Sequence, residues 1–494
     1  MRKEAYARRS CWGNVSNSPC KYLFGTKKQR SIAIAKMNRQ KGNVIVLPYP
    51  AQGHINPLLQ FTKLLVSKGL KATFATTPYT IKYIHPSPPH ITIEAISDGF
   101  DEGGCKHAPT VQAYLDSYKS VGSKSLAELI VKLRDSFSPV NCIIYDSMLP
   151  WALDVAKQFG IYGAVFLTTS ASVCSMYWQI KLGHLNFPLD KGVFPISLPG
   201  LPPLQFSDLP GFIAKPQDHP AYLAAVMQQF ETLEHNDWAF CNTFQELESE
   251  LMKDLEGVWQ LIPVGPMVPY AYLNQPTSGD ISYGANFWEP ASQKYLRWLE
   301  TKPPRSVVYV SFGSMGTTTA KQAQEIERGL KASKKYFLWV WRESEDRLPE
   351  GFLSGLDDEV LVVTWCNQLE VLAHPAVGCF VTHCGWNSVL EALSIGVPMV
   401  AVAQGGDQPT NSKFVEEIWG VGSRAEKDSN GVLTGEELDR CIRDVMDGEK
   451  SEHINSNVSK WSESAARAAS LGGSSEKNIS QFIKILMTGM EKYS

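Results

Sequence analysis

Two kinds of loop in this chain carry side chains that could do chemistry. The first is Pro50-Ala-Gln-Gly-His-Ile-Asn-Pro57, which sets His54 just after a strongly apolar run. Imidazole changes charge near neutral pH and suits the removal of a proton from a hydroxyl. A carboxylate accepting its other N–H would hold the ring in one tautomer, and Asp146 ends a second apolar run, Cys142-Ile-Ile-Tyr145. Residue type alone leaves both open. A lone histidine at a helix start also serves as a cap or a surface group, and Asp146 also fits the N-cap of a helix opening near Pro150. The second kind of loop is built on glycine. Thr382-His-Cys-Gly-Trp-Asn-Ser388 runs from a strand into a helix starting at about Trp386. A helix N-terminus offers unpaired backbone N–H groups and the positive end of its dipole to an anion. His383, Asn387 and Ser388 add polar side chains there. Ser311-Phe-Gly-Ser-Met-Gly316, which contains Ser314, is another such turn. Two in one domain suit a diphosphate, although ordinary capping explains each equally well. Neither has the GxxxxGK[ST] of a P-loop or the GxGxxG of a dinucleotide fold.

The elements that must position these loops follow from apolar periodicity. Val44-Ile-Val-Leu47 is a continuous apolar, largely β-branched run, which predicts a buried parallel strand. Leu58, Phe61 and Leu65 then recur at helical spacing up to Gly69, and Lys71 to Thr77 predicts the next strand. Strand–helix–strand is the unit of a doubly wound α/β sheet. Cys142–Tyr145 and Val165–Thr168 predict two more strands. After the Pro- and Gly-rich stretch from Val268 to about Ser292 the pattern restarts. Strands are expected at 306–311, 336–341, 360–364, 379–382 and 398–402, with helices at 320–333, 387–395 and 409–419. Three further helices end the chain.

The expected organisation is a basic, disordered extension over 1–36, a first α/β domain over 37–272, a linker over 273–292 and a second domain over 293–470. A last helix within 471–494 is expected to pack back on the first domain. The 494 residues are too many for one ordinary domain. With 44% hydrophobic and 20% charged residues the composition is that of a soluble globular protein. A net charge of -3 argues against a nucleic-acid or anionic-membrane partner. No apolar run reaches the roughly 18 to 20 residues that span a bilayer. The ten cysteines form no CxxC pair and no zinc spacing, as expected of reduced thiols in a reducing compartment. The chain is therefore expected in the cytoplasm, as a monomer.

Between Trp365 and Gln408 stand, in order, Trp365-Cys-Asn-Gln368, His383-Cys-Gly-Trp-Asn-Ser388, Glu391 and Asp407-Gln408. This block resembles, end to end, the forty-four-residue signature box of plant secondary-product glycosyltransferases, the family 1 UDP-sugar enzymes. From about Gly42 onward the chain looks like that family, especially the subgroup that glucosylates carboxylic acids, phenols and terpenoid or steroid alcohols. The resemblance does not cover the first 36 residues. It implies an α/β GT-B fold, with two Rossmann-like doubly wound domains facing across a cleft. UDP-glucose would be the co-substrate, without metal or prosthetic group, and transfer would invert the sugar's configuration. Trp365 would stack on uracil. Cys366, through its backbone, and Gln368 would meet the uracil edge or the ribose, and Glu391 the ribose hydroxyls. Ser314, His383, Gly385, Trp386 (mainly through its backbone), Asn387 and Ser388 would hold the diphosphate, and Asp407 and Gln408 the sugar. The resemblance makes His54 the base and Asp146 its orienting carboxylate. A small hydrophobic acceptor would lie against Met148, Trp151, Thr168, Thr169, Ser170, Tyr177 and Trp178.

Two positions depart from the family pattern. Relatives commonly have a proline and an aromatic residue before Asp-Gln, where this chain reads Val402-Ala-Gln-Gly-Gly-Asp-Gln408. Thr169 stands where close relatives often have glutamine. Transfer from UDP-xylose or UDP-galactose, or non-catalytic binding of a UDP-sugar, are the alternative readings.

Overall fold

The computed structural model describes residues 42–84, 90–136, 139–185, 189–256, 259–273, 282–285, 293–314, 316, 318–342 and 358–491. The basic leader over 1–36, and most of the linker expected at 273–292, lie outside the described residues.

The first half is a seven-stranded parallel sheet in the order β3-β2-β1-β4-β5-β6-β7. Its strands are β1 (Asn43–Leu47), β2 (Lys71–Thr76), β3 (Ile91–Ala95), β4 (Cys142–Asp146), β5 (Tyr162–Leu167), β6 (Trp238–Cys241) and β7 (Leu261–Pro263). Strand side chains alternate between faces. Accordingly, Ile45, Leu47, Ile143 and Tyr145 enter one core cluster, and Val44, Val46, Cys142 and Ile144 enter the other. Burial on both faces explains why β1 and β4 are unbroken apolar runs. The helices that matter for the site are α1 (Gln52–Ser67), α2 (Val111–Asp135), α3 (Trp151–Gln158), α4 (Ala171–Lys181) and α5 (Pro220–Gln228). Thr110 caps α2 by accepting from the Ala113 amide at 3.1 Å, and Ser170 caps α4 by accepting from Val173 at 3.2 Å.

The second half is a six-stranded parallel sheet in the order β10-β9-β8-β11-β12-β13. The strands are β8 (Val307–Ser311), β9 (Tyr336–Val340), β10 (Val360–Val363), β11 (Val377–Thr382), β12 (Met399–Ala401) and β13 (Gly422–Arg424). Around them lie α6 (Ala320–Ser333), α7 (Gln368–Leu372), α8 (Trp386–Ile395), α9 (Gln408–Lys413), α10 (Gly435–Met446), α11 (Lys450–Ala469) and α12 (Ser474–Glu491). Helix α6 occupies the predicted span. The helix expected over 409–419 divides into α9 and a π-helical turn over Phe414–Ile418, and β5 begins at Tyr162 rather than Val165. Four strands went unread in the sequence: β3, β6, β7 and β13. Each is short and joins the sheet beside a strand distant in sequence or at an edge. Their pairing is a tertiary event.

Helix α12 lies against the first half. Ile479, Phe482 and Leu486 are buried in the core cluster shared with β1 and β4. The Phe482 ring sits edge-on to Trp238 and Phe240, with centroids 5.0 Å away in each case. Asn478 Nδ2 donates to the Pro263 carbonyl at 2.8 Å, and Lys68 pairs with Glu476 at 2.6 Å. Removing the buried ring in Phe482→Ala should cost about 3–5 kcal/mol. Urea unfolding followed by tryptophan fluorescence would show this as a lowered midpoint, and an unchanged midpoint would mean that α12 contributes nothing to the first half.

Candidate active site

A doubly wound sheet opens a crevice where its strand order reverses. In the first sheet that point lies between β1 and β4, in the second between β8 and β11. All four loops singled out in the sequence leave the carboxyl ends of these four strands. The parallel register pairs Leu47 with Tyr145, so the loops after β1 and β4 start side by side. His54 Nδ1 lies 2.8 Å from Asp146 Oδ2. Asp146 is fully buried and the His54 side chain is 26% exposed, so the carboxylate is closed off from solvent while the ring also faces the crevice. Asp146 does not cap α3, which starts from Pro150; its Oδ1 accepts from the Met148 amide at 3.0 Å. Thr168 Oγ1 is 3.1 Å from the same imidazole nitrogen. Burial of the ring opposes its charge. The Asp146 carboxylate outweighs that through charge and hydrogen bond, and with a smaller push from Asp407 it raises the His54 pKa above 6.5. Asp407 belongs to the second half, so its charge reaches the ring from across the crevice.

On that second side, Gly385 is the N-cap of α8 and supplies no capping side chain, which leaves the first turn of amides open to other partners. The His383 ring is seated between two glycines: a Cβ on either Gly313 or Gly385 would fall 2.5 Å from its Nε2. Burial, aided by the Arg342 charge, lowers His383 to about 4, and its Nδ1 has no hydrogen-bond partner among the described residues. Arg342 also donates to the Ser314 carbonyl, which ties the turn after β8 to the same place. Gln368 Nε2 donates to Ser388 Oγ at 2.9 Å and to Glu391 Oε2 at 2.6 Å. Burial pushes Glu391 up from 4.5 to about 7, against hydrogen bonds from Gln368 and Tyr283. Trp365 is half-buried at the edge of the second core, and Cys366 lies beneath it with its Sγ 3.5 Å from the Tyr309 hydroxyl. Asp407 Oδ2 accepts from Asn411 Nδ2 at 2.8 Å. Gln408 Oε1 accepts from the amides of Gln404 and Gly405 at 2.8 and 3.1 Å. Asn387 Nδ2 donates at 2.7 Å to the carbonyl of Gly53, the residue before His54.

The indole of Trp386 is not part of the crevice. It is 3% exposed and its Nε1 donates to the Asn242 carbonyl at 2.6 Å, beside Trp419. Among the residues expected to meet the acceptor, Met148 and Trp151 line a cavity of about 220 Å³ between α2, α3 and α5, together with Tyr118. Thr168 lies at His54. Trp178 packs against Phe230 and Trp259 and belongs to the core. Tyr177 is buried. Thr169 turns to Cys174, with Oγ1 3.1 Å from Sγ, and Ser170 is spent as a cap. Sequence reasoning missed Tyr49, whose ring stands edge-on to His54 at 5.3 Å, and Tyr222, whose hydroxyl reaches that of Tyr49. It also missed Arg342 and Asn242. Asn242 follows directly on β6, and Tyr49 and Arg342 stand two residues beyond β1 and β9, the kind of strand-end position that marks a ligand crevice; Tyr222 carried no local signal.

Residues 42–462 match the family model described as UDP-glucoronosyl and UDP-glucosyl transferase. The chain is similar to UDP-glycosyltransferase 74B1 of Arabidopsis thaliana, 44% identical over 90% of this chain and 98% of that one. It is similar also to the indole-3-acetate beta-glucosyltransferase of Zea mays, at 40% identity over 90% and 98%. Among solved structures, Os79 from O. sativa in complex with UDP superposes with a TM-score of 0.85 at 38% identity, covering 90% of this chain and all of that one. The two facing Rossmann-like sheets are those of the GT-B fold. Among the described residues no group of three or more His, Cys, Asp and Glu side chains could hold a metal ion, and no helix is long and apolar enough to cross a membrane.

The two imidazoles should titrate far apart. In an NMR titration His54 should show a midpoint above 6.5 and His383 one at about 4. Asp146→Asn removes the charge that favours the His54 cation and should lower its midpoint. The stabilisation from this pair is full below pH 6.5 and fades as pH rises through the raised value. A His54 midpoint unmoved by Asp146→Asn would exclude the carboxylate as the cause.

Proposed function

The chain belongs to the UDP-glucoronosyl and UDP-glucosyl transferase family, and on that premise we propose that it transfers glucose from UDP-glucose, with inversion and without a metal, to a hydroxyl or carboxyl of a small hydrophobic acceptor. The observation that carries this reading is the His54–Asp146 pair, set at the switch point of one sheet and facing the glycine-bounded helix start of the other. The acceptor oxygen attacks the anomeric carbon as the bond to the diphosphate breaks, and that bond's electron pair leaves with UDP. The proton of an alcohol or phenol passes to His54 Nε2, because Nδ1 is committed to Asp146. Asp146 then stabilises the imidazolium. The amides at the start of α8, with Ser314 and Ser388, meet the diphosphate charge, Trp365 stacks on uracil, Glu391 takes the ribose, and Asp407 and Gln408 take the sugar. Relatives named for indole-3-acetate and for a flavonol support an acceptor that is flat and largely apolar, and in this reading Met148, Trp151 and Thr168 meet it. We further propose that the protein works as a monomer in the cytoplasm, with the division between acceptor and donor domains falling within 273–292.

A donor other than UDP-glucose is favoured by one feature. Among the described residues, a Cβ on Gly405 or Gly406 would meet nothing within 4 Å, so the loop before Asp407 leaves room beside the sugar that an aromatic residue would fill. A panel of UDP-glucose, UDP-galactose and UDP-xylose, with Gly405→Trp alongside, decides between the readings: preference for glucose in both proteins would remove the second.

The first test is turnover with UDP-glucose in EDTA on a panel of phenols, terpenoid alcohols and aromatic acids, read by mass. A gain of one hexose is expected, and strict dependence on added divalent metal would overturn the metal-free mechanism. His54→Ala should lower transfer to phenols and alcohols by roughly 10²–10⁴-fold. The loss should be smaller for carboxylic acids, which are already ionised near neutral pH. With alcohols, kcat/KM should fall as pH drops through the raised His54 pKa, since only the neutral ring accepts a proton. Full turnover of alcohols by His54→Ala would end the proposal.

A further inference from the structure

Helix α1 contains a proline, Pro57, in its second turn. In an α-helix the carbonyl of residue 53 receives the N–H of residue 57. Proline has no N–H and its ring crowds that same carbonyl, so the Gly53 oxygen loses its regular donor within the helix. The oxygen is met instead from the other half of the molecule, by Asn387 Nδ2 at 2.7 Å. Asn387 is the second residue of α8. Its amide nitrogen carries two hydrogens: one goes to Gly53, and the other remains for an oxygen of the diphosphate. Its Oδ1 stands 3.5 Å from Asn242 Nδ2. Asn242 is 2% exposed and held on its own account, with Oδ1 accepting from the Met267 amide at 3.0 Å and its carbonyl from the Trp386 indole at 2.6 Å. Asn242 thus touches two successive residues of α8, and the second of them touches the residue before His54.

We propose that Pro57, Asn387 and Asn242 form a registration device, in which proline leaves the Gly53 carbonyl open so that Asn387, steadied by Asn242, fixes the first turn of α1, which carries His54, against the start of α8. The proposal rests on the reading of His54 as the base and of that helix start as the diphosphate site. Pro57 and Asn242 are positioning residues that touch neither nucleotide nor acceptor. Their effect is geometric. Attack requires the acceptor oxygen to sit in line with the breaking bond, and a displacement of about 1 Å costs on the order of 10²-fold in rate.

Pro57→Ala restores an N–H that competes for the Gly53 carbonyl. It should leave thermal stability unchanged or raise it. The UDP Kd should stay within about twofold of the parent value, while kcat for a phenolic acceptor falls roughly 10- to 100-fold. Asn242→Ser should show the same split between kcat and UDP affinity. In both variants the acid limb of the pH profile should keep its midpoint, because the His54–Asp146 contact is untouched. The double variant should lose little more than the worse single one, as expected for residues acting through one contact. Unchanged kcat in a folded Pro57→Ala protein would overturn the proposal. Parallel losses of kcat and UDP affinity would also overturn it, by making these residues part of the nucleotide site alone. His54→Ala in the same series separates the two levels: if it stays fully active the underlying reading fails, and if it is inactive while Pro57→Ala is normal only the registration fails.

Discussion

The 2.8 Å contact between His54 Nδ1 and Asp146 Oδ2 sets the terms for the rest of the molecule. A carboxylate removed from water is costly unless each of its oxygens finds a donor. Asp146 is fully buried, with the Met148 amide on one oxygen and the imidazole on the other. That arrangement needs the ends of β1 and β4 at one level, which requires two adjacent parallel strands in a set register, which in turn requires apolar side chains on both faces of each strand. The exposures divide the labour: Asp146 is closed off, and His54 alone meets the crevice.

The second half solves a different problem with the same topology. On the proposed reading the ligand there is an anion, and the partner is mostly backbone. Glycine at 313 and 385 is a requirement of space, because the His383 ring fills the volume that a Cβ would take at either position. Burial and the Arg342 charge keep that ring neutral through the physiological range. It therefore offers a hydrogen-bonding edge and no net charge, and positive potential is left to the amides that open α8 and to Arg342 itself. Two histidines 329 positions apart in the chain are thus pushed in opposite directions, one by a carboxylate and one by burial beside a guanidinium.

The halves are held together by contacts that flank the crevice. Asp208, 2% exposed, accepts from Arg424 at 2.6 Å and lies 3.3 Å from Lys413. Its carbonyl receives the Thr410 hydroxyl at 2.7 Å. Nearby, the Gly211 amide donates to the Gly406 carbonyl at 2.6 Å, and a Cβ on Gly211 would fall 2.9 Å from the Gly406 amide. The loop from 205 to 214 therefore touches the loop that carries Asp407. Segments of the two halves share a boundary here, and a change in either alters the space available to the other.

Much of this could be read from residue order. Continuous apolar runs between glycine-marked turns specify buried parallel strands, because only strands covered on both faces lack alternation, and β1, β4, β8 and β11 were legible for that reason. The block from Trp365 to Gln408 stood out because the loops that follow consecutive strands of one sheet keep their polar side chains close together along the chain. What could not be read is whatever depends on a partner far along the chain. Trp386 stands inside the most informative motif, yet its indole is buried because Asn242, 144 positions earlier, offers it a carbonyl. Trp178 and Met148 are both apolar residues close to an active-site strand, and only the packing of Phe230 and Trp259 puts the first in the core while the second lines a cavity. The open carbonyl of Gly53 is the sharpest case. Proline at 57 announces in the sequence that a backbone acceptor is left over, but which donor takes it up is decided by the closeness of two helix starts, and distance in space is the one quantity that residue order does not contain.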